Sequence, residues 1–302
     1  KNKLLVITST VLPGDTRSKL ISKVRGQKSL IGDINFCYSP EFIALGSVLN
    51  DLKNPDFLLV GEEMPNAADK HIQAMMTVVQ NKKIPVRRMS IESAEMAKIA
   101  INSYITSKIS FANAIGITAD SIENCSSKDV LSAIGSDSRI GKKYLSKGLG
   151  FGGPCFPRDN RAIQQVINKT DGLNYNLPSD NEKFNRELPN YYVKEIFSIC
   201  KNKKLNNVLV VGVTYKDGSY LLVESQSYEI ALKLKEKLNV FYFDPDVYSS
   251  ENVQDIEAFN SETKVYGDIL LLNCSRDIEK LLMAKNIVNY KKLNYFEIRI
   301  WE

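Results

Sequence analysis

Gly148-Leu149-Gly150-Phe151-Gly152-Gly153-Pro154-Cys155-Phe156-Pro157-Arg158-Asp159 is the stretch on which the fold of this chain turns. Gly148, Gly150 and Gly153 satisfy G-x-G-x-x-G, the phosphate-cradling turn of a dinucleotide fold. That turn needs a strand before it and a helix opening at its last glycine. Here Lys142-Lys143-Tyr144-Leu145-Ser146-Lys147 comes before it and Pro154 and Pro157 follow, so the dinucleotide reading fails. The stretch reads instead as a glycine-rich loop presenting Cys155, with the carboxylate of Asp159 close behind. Cysteine is the natural nucleophile toward an aldehyde: the thiohemiacetal it forms can release hydride and leave a thioester. A glycine loop with a cysteine can equally be plain structure, and on these residues alone both readings stand.

Working outward, a long helix begins upstream of the loop. Ser90 suits its N-cap and Glu92 its first turn. It runs without Gly or Pro to Ile115, apolar at Ile91, Ala94, Ile101, Ile105, Ile109 and Ala112. A helix of that length can cross a small domain. Glu95, Lys98 and Asn102 share one of its faces. An ammonium and an amide there suit a developing oxyanion, and a nearby lysine lowers a thiol's pKa. A solvated polar stripe is the other reading. Further helices are expected over 128–134, 158–167 and 181–200.

On either side of this helical middle the pattern is α/β. The early part carries strands at 4–7, 57–60 and 84–86 and helices at 13–24 and 66–80, in βαβ style. Its first strand ends in Thr8-Ser9-Thr10-Val11-Leu12-Pro13-Gly14, and ligands favour such carboxyl ends. The late part carries strands at 208–211, 240–243, 269–272 and 295–298 and a helix at 227–238. The predicted architecture is therefore α/β, with a partial N-terminal Rossmann-like domain (1–89), a central helical domain with a long helix (90–204) and a C-terminal Rossmann-like domain (205–302). A length of 302 residues agrees with several domains rather than one core.

Bulk properties narrow the function. Hydrophobic residues at 43% and charged residues at 25% are those of a soluble globular chain. No apolar run nears the roughly 18 residues of a membrane span, and the apolar start lacks a signal-peptide cleavage pattern. The net charge of +5 is dispersed. Lys201-Asn202-Lys203-Lys204 and Lys233-Leu234-Lys235-Glu236-Lys237 read as solvated helix ends, not a nucleic-acid patch. A mild positive bias suits a phosphate-bearing substrate. Five cysteines (37, 125, 155, 200 and 274), without C-x-x-C spacing, point to free thiols in a reducing cytoplasm. With His71 as the sole histidine, neither a Ser-His-Asp triad nor a histidine-rich metal site is expected.

Taken in order, these pieces resemble the UDP-glucose/GDP-mannose dehydrogenase family. Its cysteine loop, GFGGxCxxxD, stands as Gly150 to Asp159, and its E-x-x-K-x-x-x-N helix as Glu95, Lys98 and Asn102. The S-T-V turn is Ser9-Thr10-Val11 and the P-E-F turn is Pro40-Glu41-Phe42. Arg139 in Ser138-Arg139-Ile140-Gly141 matches the arginine upstream of the cysteine loop, with Tyr144-Leu145 in the sugar-facing strand. Gly212 to Asp217 matches G-x-x-x-K-D, and Glu297 and Arg299 match a terminal acidic-x-Arg.

The resemblance implies a two-step, NAD-dependent oxidation of a nucleotide sugar at C6. Cys155 would capture the aldehyde, and the thioester would be hydrolysed to the uronic acid. Lys98 and Asn102 would hold the oxyanion; Asp159 with Thr10 and Glu41 would position and activate water. Ser9, Thr10 and Val11 would line the cofactor. Arg139, Tyr144, Leu145, Gly152, Lys216 and Arg299 would meet the substrate, Arg139 from a partner subunit of a homodimer built on the long helix. Neither nucleic acid nor membrane is implied as a partner.

Three departures from the family pattern carry expectations. The strand–GxGxxG–helix opening is not found, so the chain as given is expected to bind NAD poorly, as a truncated or partial form would. Leu45 stands where many members carry Glu, which weakens the hydrolytic step. Val223 stands where an arginine contacting the nucleotide is common, so the substrate need not be UDP-glucose. The competing readings are a nucleotide-sugar-binding relative without catalysis and a different α/β dehydrogenase with a similar helical middle.

Overall fold

The computed structural model describes residues 3–26, 34–247, 253 and 255–301. They fall into two compact units, Lys1–Ser103 with Asp159–Tyr175, and Tyr104–Arg158 with Asn176–Glu302. The first unit begins with β1 (Lys3–Ile7), a π-helical turn Thr16–Ile21 and α1 (Ser22–Gly26). Next come β2 (Ile34–Tyr38), α2 (Val48–Lys53), β3 (Leu58–Glu62), α3 (Asp69–Val78) and β4 (Val86–Ser90). Their sheet has the order β1-β2-β3-β4. β1 pairs with β2 and β3 with β4 in parallel, each through five residue pairs. β2 and β3 are antiparallel and share only Cys37↔Glu62 and Tyr38↔Gly61. The expected parallel style therefore holds for the outer pairs and not at the middle. β2 and α2 were not anticipated, although Phe36-Cys37-Tyr38 is fully buried. Side chains alternate across the sheet: Ile7, Phe36, Tyr38 and Leu59 pack against Ile21, Ile91 and Ala94. On the other face Cys37, Leu58 and Val60 pack against Ala68, Val79 and Ile84.

The long helix α4 (Ile91–Asp120) leaves β4 directly, and the Ser90 hydroxyl accepts the Ser93 N–H at 3.2 Å, the capping bond its position suggested. It continues past Ile115 through Gly116. Its residue range, like that of α6 (Phe156–Ile167), is divided between the two units.

The second unit adds α5 (Ser127–Ser136), α7 (Leu177–Lys203), β5 (Asn207–Val211) and α8 (Gln226–Lys235). After these come β6 (Asn239–Phe243), β7 (Glu257–Ala258), β8 (Ile269–Asn273), α9 (Ile278–Tyr290) and β9 (Tyr295–Arg299). The sheet is parallel throughout, in the order β7-β6-β5-β8-β9. Both faces are covered, which is why Val208-Leu209-Val210-Val211 and Ile269-Leu270-Leu271-Leu272 are unbroken apolar runs. Val208, Val210, Leu270 and Leu272 pack on Leu188, Val193, Ile196, Ile230 and Leu234 of α7 and α8. Leu209, Val211, Ile269 and Leu271 pack on Leu281, Ala284 and Val288 of α9. Each such fully buried side chain contributes about 1.5–3 kcal/mol. The turns after β5, β6 and β8 share the sheet's carboxyl edge, where doubly wound folds hold ligands. Among the described residues no helix is long and apolar enough to cross a membrane.

Candidate functional site

In the first unit the polar face of α4 is buried, which excludes the solvated-stripe reading. The Glu95 carboxylate is fully buried and accepts the N–H groups of Gly14, at 2.6 Å, and Thr16, at 3.0 Å. It thereby closes the start of the helix that follows the Ser9-Thr10-Val11 turn. One turn on, Lys98 Nζ donates to the Glu41 carbonyl at 2.8 Å and lies 4.2 Å from the centre of the Phe42 ring. Lys98 thus fixes the Pro40-Glu41-Phe42 turn, and the Glu41 side chain is exposed. A further turn on, Asn102 Nδ2 donates to Asp159 Oδ2 at 2.6 Å, with Asp159 wholly buried. Ser103 donates to Asn160 beside it. The structure thus brings Lys98 to the Glu41 backbone carbonyl and Asn102 to the Asp159 carboxylate.

Thr8 and Ser9 are exposed at the carboxyl end of β1, and Thr10 and Val11 are half-buried. Such hydroxyls fit the ribose and carboxamide end of a dinucleotide. The N–H groups of Gly14 and Thr16 are already taken by Glu95, so this helix start does not offer them to a pyrophosphate.

In the second unit the cysteine loop is held by buried side-chain amides. Asn113 accepts the Gly148 N–H and donates to the Leu149 carbonyl, at 2.8 and 3.3 Å. Gln226 accepts the Gly150 N–H at 2.5 Å. Asn185 accepts the Phe151 N–H and donates to its carbonyl, both at 2.8 Å. Tyr192 donates to the Gly148 carbonyl at 2.7 Å, and burial pushes its phenol well above the ordinary range. A side chain would clash at all four loop glycines, at Gly150 with the Asn185 amide oxygen and at Gly152 with the Glu224 carbonyl. A side chain at Gly148 would enter the Trp301 ring. One at Gly153, whose φ is +76°, would meet the Tyr215 ring. The loop is thus a packed element, and the GxGxxG spacing reflects close packing, not a phosphate cradle. Cys155 remains exposed just ahead of α6, in whose first turn Asp159 lies. All five cysteines are free thiols.

Tyr215 was not singled out in the sequence. Its ring covers Gly153, two residues before Cys155, and burial pushes its phenol up. Asn113, Asn185, Gln226 and Tyr192 were likewise missed, because each is a polar residue inside a helix with no local signal. Tyr144 and Leu145 lie in a turn and not in a strand, with Tyr144 in the left-handed region at φ +65°. This corrects the strand expectation: Gly141 and Tyr144 both have positive φ, which breaks extended backbone. The Tyr144 ring meets Phe156 edge-on at 6.4 Å. Gly152 packs against the Glu224 carbonyl. Arg139 is exposed and bound to Asp137 at 2.7 Å. Lys216 is exposed, its carbonyl accepting from the Thr214 hydroxyl. Arg299 pairs with Glu297 at 2.5 Å.

Residues 1–81 match the NAD binding domain of the UDP-glucose/GDP-mannose dehydrogenase family, and residues 92–187 match that family's central domain. Over 299 residues the chain is 29% identical to a UDP-glucose 6-dehydrogenase of Rickettsia felis, covering 98% of the chain and 64% of that protein. Over 219 residues it is 32% identical to UDP-glucose 6-dehydrogenase TuaD of Bacillus subtilis, covering 72% of the chain and 46% of that protein. The fold is similar to that of a UDP-glucose dehydrogenase from Pyrobaculum islandicum, with a TM-score of 0.81 at 24% identity over 100% of the chain and 68% of the other. The chain spans less than two thirds of the Rickettsia felis protein, at 64%.

Proposed function

The chain belongs to the UDP-glucose/GDP-mannose dehydrogenase family, and from that premise we propose that it serves the NAD-dependent oxidation of a nucleotide sugar at C6 to the uronic acid. The observation that carries this reading is the amide-clamped glycine loop that leaves Cys155 exposed. A nucleophile held on a rigid loop attacks with little reorganisation. The Cys155 thiolate adds to the sugar aldehyde, and its sulfur later carries the acyl group as a thioester. Lys98 and Asn102 hold the oxyanion, and Asp159, with Thr10 and Glu41, positions and deprotonates the hydrolytic water. Arg139, Tyr144, Leu145, Gly152, Lys216 and Arg299 bind the nucleotide sugar. NAD, when bound, supplies the hydride acceptor, and Ser9, Thr10 and Val11 are the residues that would hold its nicotinamide end. In this reading residues 1–89 serve the cofactor, 90–204 catalysis and dimerisation, and 205–302 the nucleotide.

The same reading includes a homodimer, which the exposed apolar side chains Tyr104 and Phe111 of α4 support. Free thiols fit a cytoplasmic location. A second reading, a nucleotide-sugar binder without turnover, draws on Leu45, which is exposed a few residues past Glu41 where the family's pattern has Glu. Cys155→Ala tests the two. In the enzyme, uronate formation falls at least 1,000-fold while calorimetric affinity for UDP-glucose stays within about threefold. Uronate formed at the unmodified rate by the variant would refute the cysteine mechanism. Binding without uronate from the unmodified chain favours the second reading.

A further inference from the structure

We propose that Arg276, backed by the Trp301 indole, is the phosphate-recognising arginine of this chain's nucleotide site and takes the place left by Val223. The proposal rests on the nucleotide-sugar reading and names the group that would grip the diphosphate.

Arg276 lies three residues past the carboxyl end of β8, the central strand's neighbour in a parallel sheet. The carboxyl edge of such a sheet is where anionic ligands bind. Its backbone is fixed there, because the Arg276 N–H donates to Asp217 Oδ2 at 3.0 Å and the Ser275 hydroxyl donates to Asp217 Oδ1 at 2.6 Å. Asp217 is the next residue after Lys216, so these bonds bring the strand ends bearing the two cations together. The guanidinium is also fixed. It stacks 3.8 Å from the centre of the Trp301 ring, and Nη2 donates to the Ser146 hydroxyl at 2.9 Å. Trp301 is itself anchored through its indole N–H, 2.7 Å from the Cys274 carbonyl, and packs on Gly148 of the cysteine loop.

What this guanidinium lacks is a carboxylate in direct contact; Asp217 holds the Arg276 backbone N–H and acts on the charge only through space. Among the described residues no acidic side chain forms an ion pair with Arg276, and its Nε and Nη1 have no acceptor. Arg299, by contrast, is already bound to Glu297, which also pairs with Lys285. An arginine oriented by stacking, with donors left over, has the fork geometry that receives two phosphate oxygens. Its stacking partner Trp301 also lines, with Lys128, Arg299 and Glu297, a cleft of about 730 Å³. Val223, where the family's pattern has a nucleotide-contacting arginine, is half-exposed and apolar. Arg276 supplies the missing guanidinium from an adjacent strand end.

Calorimetric titration of the 302-residue chain with UDP and with uridine tests this, using Arg276→Gln and Arg276→Lys, both checked for folding by circular dichroism. Loss of charge-assisted bonds to phosphate lowers UDP affinity about 10- to 100-fold in Arg276→Gln. Uridine, which has no phosphate, should bind both proteins within twofold. Arg276→Lys should keep the charge yet lose at least fivefold, since an ammonium neither stacks nor forks; it carries the test if the glutamine variant misfolds. UDP binding within twofold of wild type in both variants overturns the inference and leaves the nucleotide-sugar reading intact. A folded wild-type chain that binds neither UDP nor GDP overturns that reading, and the inference with it.

Discussion

Cys155 owes its setting to the packing of the loop that carries it. Gly153 has to be glycine because its φ is positive and Tyr215 covers it. Gly153→Ala should therefore cost about 2–4 kcal/mol, left-handed strain added to overpacking. Urea midpoints measure the loss, and iodoacetamide should alkylate Cys155 faster as the loop loosens. An unchanged midpoint would mean the loop is not packed as described. The sequence pointed to Cys155, Lys98, Asn102 and Asp159 through residue type and spacing. It could not point to Asn113, Asn185 or Gln226, whose partners are 34 to 76 residues away. Nor did a solvated stripe on α4 survive: Glu95, Lys98 and Asn102 are all buried. Polar residues at helical spacing look alike whether water or another element covers them.

Among the elements, α9 also went unread in the sequence, because Lys280 interrupts its apolar face. The structure accounts for the lysine. Its ammonium is buried within hydrogen-bond reach of Asp217 at 3.1 Å, Asp244 at 2.8 Å and Asp246 at 2.6 Å. Those carboxylates also receive backbone N–H groups of Val213, Thr214, Gly218 and Arg276, so one lysine fixes the turns after β5, β6 and β8. Burial opposes its charge, but the bonds to Asp244 and Asp246 outweigh it and hold the ammonium well above the ordinary lysine range. A folded pKa raised in this way gives stability that is fully present below about pH 10.4 and lost as pH climbs past it. Asp217 has the opposite sign. Burial opposes its ionisation, yet Ser275 and Lys280 hold its pKa low. Its contribution is present above about pH 3.9 and fades as pH falls. Lys280→Met should lose about 3–5 kcal/mol at pH 7 in urea melts. The gap to wild type should narrow below about pH 4, and a gap constant from pH 3 to 7 would rule out the charge network as its source. Helices and strands with regular periods were legible, whereas β2, α2 and the turn at Tyr144 were not, being short or set by single φ values.

At the scale of the whole molecule, the α/β–helical–α/β layout was visible in the order of hydrophobic periods. How the first sheet pairs was not, because register is a tertiary property. The proposed homodimer belongs here. Tyr104 is 66% and Phe111 50% exposed on α4, a cost that a partner would remove. Phe111→Lys should convert a dimer to a monomer in sedimentation equilibrium, and a wild-type chain that is monomeric at high micromolar concentration would end that proposal. The sheet of the first unit has a mechanical side as well. Its two parallel pairs each run five residues, yet they meet through just the pairs Cys37↔Glu62 and Tyr38↔Gly61 and the Glu63 N–H to the Phe36 carbonyl. Two leaves joined at one corner bend most easily along that corner. Beyond it, on one leaf, come Ser39, Pro40 and the Glu41 turn that Lys98 holds. Bending of this sheet should therefore be easiest next to the Glu41 turn, where the fewest strand pairs hold it.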